Sequence, residues 1–170
     1  LGEEDFDDIY EFYRAQVHEL VKAGADFLFL SGHQCLSDLR AAMLAAKRKK
    51  LPVLATLTVD SSGKTLSGGT LLPAVIVLQA MGVDAVGLEG NLPPEKMQEL
   101  LEEVLPHASI PLIALPEAED EDGVPLPPDA FAEKCSRMLD AGIPLIGGVH
   151  LTDKQMAAVG KLDLNRPIPG

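Results

Sequence analysis

Three times along the chain a helix-like stretch ends in glycine and runs straight into an apolar segment. The junctions are Ala23-Gly24-Ala25-Asp26, Met81-Gly82-Val83-Asp84 and Ala141-Gly142-Ile143-Pro144. Glycine just past the last helical residue takes the left-handed conformation that closes a helix. A short apolar run after it reads as a strand covered on both faces. Repeated alternation of this kind predicts parallel strands joined by right-handed crossovers, an α/β fold. The recurrence is one of rhythm, since the flanking sequences are not copies of one another.

The rest of the chain fits that rhythm. Residues 4–23 carry Phe6, Ile9, Tyr10, Tyr13, Val17, Leu20 and Val21 at helical spacing, the apolar face of an amphipathic helix. A first strand over 26–30 and a turn over 31–35 follow, and Ser37 or Asp38 is expected to cap the next helix, which carries Leu39, Ala42, Met43 and Ala46 inward and ends in the solvated run Lys47-Arg48-Lys49-Lys50. The second strand is expected over 52–59, the third over 84–88 and the fourth over 110–115, with helices over 72–81 and from Pro93-Pro94 to about 105. A helix opened by Pro128-Asp129 turns Phe131, Cys135, Met138 and Leu139 inward. The stretch Ile143-Pro144-Leu145-Ile146-Gly147-Gly148 reads as a buried fifth strand, and Thr152 with Gln155 as a capping box for a last helix through Met156 and Val159. Residues 1–162 thus make one β/α domain of about five units, and 163–170 a C-terminal tail. Five strands cannot close an eight-stranded barrel, so an open sheet is the alternative taken from the pattern alone.

Composition narrows the function classes. At 170 residues with 46% hydrophobic residues the chain holds one domain with a core, and 4% aromatics with no Trp make that core aliphatic. A net charge of −12 repels nucleic acid and anionic membranes, so neither is expected as a partner. No apolar run approaches the ~20 residues of a membrane span. Two distant cysteines, Cys35 and Cys135, suggest neither a disulfide framework nor a zinc ribbon, and a cytoplasmic location is expected. A chain opening at Leu1 on an acidic segment reads as a piece of something longer.

His33, Cys35, Glu89, Glu117 and His150 all fall just after expected strands, so they are candidates to converge at one end of the sheet. Two histidines, a thiol and a carboxylate suit a metal site. The alternative is five unrelated loop residues. Cys35 with His33 or His150 as base also has the makings of a nucleophile, against the plainer reading of a turn cysteine. In the loop 60–69, Ser61, Ser62, Lys64, Thr65 and Ser67 are suited to an anionic or folate-like group, or to satisfying the loop's own backbone. The acids between Glu117 and Asp122 lack EF-hand spacing and read as a solvated loop. Cys135 is at core spacing, and His18 and His107 are expected at the surface.

Several segments together resemble the homocysteine S-methyltransferase family, the zinc-dependent barrel that also forms the homocysteine domain of cobalamin-dependent methionine synthase. They are Ala23-Gly24-Ala25-Asp26, Asp60-Ser61-Ser62-Gly63-Lys64-Thr65-Leu66-Ser67-Gly68, Val83-Asp84-Ala85-Val86-Gly87-Leu88, Pro93-Pro94-Glu95, and Gly142-Ile143-Pro144-Leu145-Ile146-Gly147-Gly148. The loop at Asp60 is the most specific. The resemblance spans nearly the whole chain but only the later part of the family's barrel. It implies a partial TIM-type (β/α) barrel and methyl transfer to a thiol, in which zinc held by three cysteine thiolates lowers the thiol pKa.

The resemblance places one zinc cysteine at Gly90, where the family's Gly-Leu-Asn-Cys is replaced by Gly87-Leu88-Glu89-Gly90, and two at Val149-His150 after Gly-Gly. Ser31-Gly32 stands for the Glu-Thr turn that helps hold the amino acid substrate, Cys35 for an acid, and Pro116-Glu117-Ala118-Glu119 for Pro-Asn-Ala-Gly. Ser31, Gly32, Glu89 and Glu117 are therefore substrate positions in altered form. His150 is the one family ligand position that keeps a donor, and a zinc site requires His33 and Cys35 to join it. Two functions follow as expectations: a methyltransferase-like domain handling a small thiol, or a non-catalytic scaffold or regulatory module that keeps the fold for partner binding. In either case the outer strands of a five-stranded parallel sheet need cover from a missing N-terminal barrel half, a second copy or a partner subunit.

Overall fold

A computed structural model describes residues 5–164. The three glycine closures form alike. After helix α1 (Phe6–Lys22) Gly24 sits at φ 91°, after α3 (Leu71–Ala80) Gly82 at φ 86°, and after α5 (Pro128–Asp140) Gly142 at φ 98°. Each glycine N–H donates to a carbonyl three residues back, and the next N–H reaches five back. Those pairs are Gly24 to Val21 with Ala25 to Leu20, Gly82 to Gln79 with Val83 to Leu78, and Gly142 to Leu139 with Ile143 to Met138. This double closure satisfies the helix's last carbonyls and aims the chain back along the sheet.

The remaining elements are β1 (Leu28–His33), α2 (Leu36–Lys47), β2 (Val53–Leu57), β3 (Ala85–Glu89), α4 (Pro94–Val104), a 3-10 turn (Leu105–His107), β4 (Leu112–Leu115), β5 (Leu145–Ile146) and α6 (Asp153–Val159). The strands form one parallel sheet in the order β1-β2-β3-β4-β5. Unreversed order means every right-handed crossover steps the same way, which lays the helices on one side, as in a barrel wall. A doubly wound sheet would reverse direction at some point. Among the described residues β1 and β5 do not pair with each other, so the wall is not closed.

The strand register sorts the side chains. One face aligns Leu30, Ala55, Val86 and Leu112 in a row, and Leu57, Leu88, Ala114 and Ile146 in the next. These join Leu39 and Met43 of α2, Leu78 of α3, Met97 and Leu101 of α4, and Phe131, Cys135 and Met138 of α5 in one buried cluster. The opposite face aligns Thr56, Gly87, Ile113 and Leu145. At this face Phe29 is 42% and Leu145 37% exposed.

Four expectations are corrected. The turn placed at 31–35 is instead strand as far as His33, because Ser31 and Gly32 continue β1 across a register shift against β2. Neither Ser37 nor Asp38 caps α2. Cys35 holds the N-cap position without a side-chain cap bond, and Ser37 Oγ donates to Asp38 instead. The fifth strand is two residues long and half-exposed rather than buried, since β4 is its neighbour on one side and Gly147-Gly148 ends the pairing. The apolar stripe of α1 buries only Val17 fully; Phe6 and Leu20 stay exposed because the helix packs chiefly along α2. The capping box of α6 forms as expected. The tail from Asp163 lies outside the described residues beyond residue 164. Among the described residues no helix is long and apolar enough to cross a membrane.

Candidate functional site at the carboxyl ends of the strands

Period-two alternation carries Leu54, Thr56 and Thr58 toward the face away from the helices, and Glu89 follows on β3. Glu89 becomes the centre of a hydroxyl-lined carboxylate. Ser31 Oγ donates to its two oxygens at 2.9 and 2.8 Å, Thr56 Oγ1 donates to Oε2 at 2.5 Å, and Thr58 Oγ1 donates to the Glu89 carbonyl at 3.0 Å. Gly32 N–H donates to Thr56 Oγ1 at 3.0 Å. The sequence-expected Ser31, Gly32 and Glu89 are thus brought together. Thr56, the fully buried hinge of the group, escaped notice inside an apolar run, although a hydroxyl at alternate spacing to Leu54 and Thr58 was the available signal.

A second cluster sits one residue further along. Gly90 follows β3, Glu117 follows β4, and Val149-His150 follows β5. Glu117 and Val149 form a parallel bridge, Gly90 N–H donates to Leu115 O, Val149 N–H to Pro116 O, and Glu117 N–H to Leu92 O. The Glu117 carboxylate accepts from Asn91 N–H at 3.2 Å, and its other oxygen lies 3.1 Å from His150 Nδ1. Asn91 Nδ2 reaches back to Val59 O at 2.9 Å. Among the described residues Asn91 at φ 63° and His150 at φ 54° are the non-glycine residues in the left-handed region, and both hold the same carboxylate. Such backbone costs about 1–3 kcal/mol per residue and persists only where neighbours over-determine it. The hydrogen bond and charge of Glu117 raise the His150 pKa above its ordinary value.

His33 and Cys35 do not join this group. The His33 ring packs on Tyr13 of α1 at a centroid distance of 5.6 Å, and burial pushes its pKa down against the opposing pull of Asp38 and Glu89. Cys35 is half-buried at the start of α2. Among the described residues no three His, Cys, Asp or Glu side chains are placed to hold one metal ion. Gly90 and Val149 bring no donor to the zinc positions that the resemblance implies, so the residues present do not fit that metal. Cys135 lies in the core, its thiol pushed up to about 12 by burial. His18 and His107 are exposed.

The loop 60–69 closes on itself. Asp60 Oδ1 accepts from Ser62 N, Ser62 Oγ and Lys64 N, and Thr65 Oγ1 accepts from Gly69 N and meets Ser67 Oγ. Beside it opens a cavity of about 320 Å³ lined by Gln34, Thr58, Asp60, Lys64, Thr65 and Asn91, among others.

A family model described as Homocysteine S-methyltransferase matches residues 1–158. Methionine synthase of Mycobacterium tuberculosis is 30% identical over 161 residues, covering 87% of this chain and 14% of that protein. The Mycobacterium leprae methionine synthase is 29% identical over the same length, with 13% of its own length covered. The chain therefore spans a small part of these relatives. Among solved structures, the homocysteine methyltransferase MmuM from Escherichia coli in its apo form aligns with a TM-score of 0.76 at 22% identity, over 93% of this chain and 57% of that one. The metallated form of the same protein aligns with a TM-score of 0.76, over 52% of its length. At such identity the likeness is one of fold.

Proposed function

This chain belongs to the homocysteine S-methyltransferase family, and from that premise we propose that it is a degenerate member serving methyl transfer to a thiol within a longer methionine-synthase-like protein. The observation that carries the reading is the pair of replacements at the implied zinc positions. Gly90 and Val149 present no side-chain donor to a metal, while the scaffold around them keeps its family landmarks. A thiol at neutral pH needs a metal or a base to become a thiolate. Here Glu89 is already met by Ser31 and Thr56, and His33 is turned toward α1. The hydroxyl-lined Glu89 group lies at the strands' carboxyl ends, which is where barrels place ligands. Calorimetric titration of homocysteine into the full chain, with and without added zinc, tests the reading. Binding is expected to be the same in both; no binding at all, or binding that appears only with zinc, would contradict it.

A second reading, a non-catalytic scaffold, draws on the α1–β1 edge. Of the five phenylalanines in the chain, Phe6, Phe12, Phe27 and Phe29 are exposed there. Such a surface suits cover by the rest of a barrel, a second copy or a partner subunit. Sedimentation of the full chain over a range of concentrations separates these: self-association favours a second copy, and a concentration-independent monomer argues against one.

A further inference from the structure

We infer that the carboxylate of Glu117 takes the place of a metal as the cross-link between the loops after β3 and β5, so that this rim assembles without one. The reading rests on the family assignment only for where a metal would sit. The rest is geometry. A side chain built at Gly90 would lie 3.5 Å from Glu117 Oε1 and 3.7 Å from Val149 Cγ2, so the three loops do converge at the implied ligand positions. The carboxylate occupies that convergence, with one oxygen on Asn91 of the first loop and the other on His150 of the last. A metal would draw three donors to one point, whereas here one acceptor draws two donors from opposite sides. The same two residues hold left-handed backbone, which a solvated loop would relax. Both left-handed residues meet one side chain, Glu117, with Asn91 held besides by its Nδ2 on Val59 O.

Glu117 is 24% exposed and the His150 that meets it 84% exposed, so the carboxylate is the inner partner of the pair. Glu117 is fixed from below by its own N–H on Leu92 O and by the Val149 N–H on Pro116 O. Among the described residues the partner of the His150 ring is this carboxylate. The backbone of Glu117 is thus anchored independently of the bridge, and from that anchored position its carboxylate meets Asn91 and His150.

Hydrogen exchange on the full chain tests this, with the amides of Asn91 and Val149 as reporters and that of Asp84, bonded to Val53 O at the far end of the sheet, as control. Glu117→Ala is expected to speed exchange at Asn91 and Val149 by about tenfold or more while Asp84 is unchanged. Dialysis against EDTA is expected to change none of them. In the Glu117→Ala background, His150→Gly is expected to raise Tm, because only the backbone cost at φ 54° then remains. Unchanged exchange in Glu117→Ala, or an EDTA effect matching that substitution, overturns the inference. Should Glu117→Ala not fold, Glu117→Gln keeps one acceptor and is expected to speed exchange less but at the same amides; no local change there is equally fatal. A chain that fails to bind homocysteine would end the thiol reading and leave this one standing, since no substrate enters the measurement.

Discussion

At the scale of single residues, two histidines a few residues from strand ends behave oppositely because of what each faces. His150 has its ring on the Glu117 carboxylate, which favours the charged form; His33 is desolvated against Tyr13, which favours the neutral one. For His150 the folded pKa lies above the unfolded one, so its contribution to stability is full below about 6.5 and is lost as pH rises through the raised value. For His33 the folded pKa is depressed, so its contribution is present above about 6.5 and is lost as pH falls through the lowered value. Proton NMR of the two ring Hε1 signals is expected to give midpoints on either side of 6.5, with Glu117→Gln bringing only that of His150 down. A His33 midpoint above that of His150 would contradict both placements. Sequence alone put these histidines in one candidate metal group. Proximity to a strand's carboxyl end was legible, but orientation was not, because a register shift between Leu30 and His33 decides which way β1 turns its last side chains.

At the scale of elements, the rhythm of glycine-closed helices was readable because each closure needs one residue at positive φ, and glycine marks it. Gly24, Gly82 and Gly142 all adopt that backbone. The length of β5 was not readable: an apolar run with a double glycine looks the same whether strand pairing covers one side or two. Gly87 is a different case, since its conformation is ordinary strand. A Cβ there would lie 1.8 Å from Ile113 O on β4, so no side chain fits without separating β3 from β4. Gly87→Ala is expected to destabilise the chain by about 3 kcal/mol or more, as overpacking against unyielding backbone does. Chemical denaturation checks it, and a loss below about 1 kcal/mol would mean that the two strands are not this close. By contrast, Thr152→Ala removes one cap from the short α6 and is expected to cost about 1 kcal/mol, read as a Tm shift of about 2–4 °C.

At the scale of the whole molecule, sequential strand order and helices on one side make the chain a stretch of barrel wall, and its family membership says which barrel. The apolar core is complete on the helix side, while the α1–β1 edge leaves phenylalanines in solvent. That asymmetry accompanies a wall that is not closed among the described residues. The candidate site was half legible: the family landmarks located the rim, and the letters at Gly90 and Val149 differ from those the resemblance implies. What replaced it could not be read, because Glu117, Asn91 and His150 come from three separate loops and meet only through the fold. Elemental analysis of the full chain after gel filtration from excess zinc and homocysteine asks the question outright. Less than a tenth of an equivalent of zinc is expected on the natural sequence, and about one equivalent on the Gly90→Cys, Val149→Cys, His150→Cys variant. One retained zinc per natural chain, released by EDTA together with homocysteine, would show that the thiol site still works through a metal.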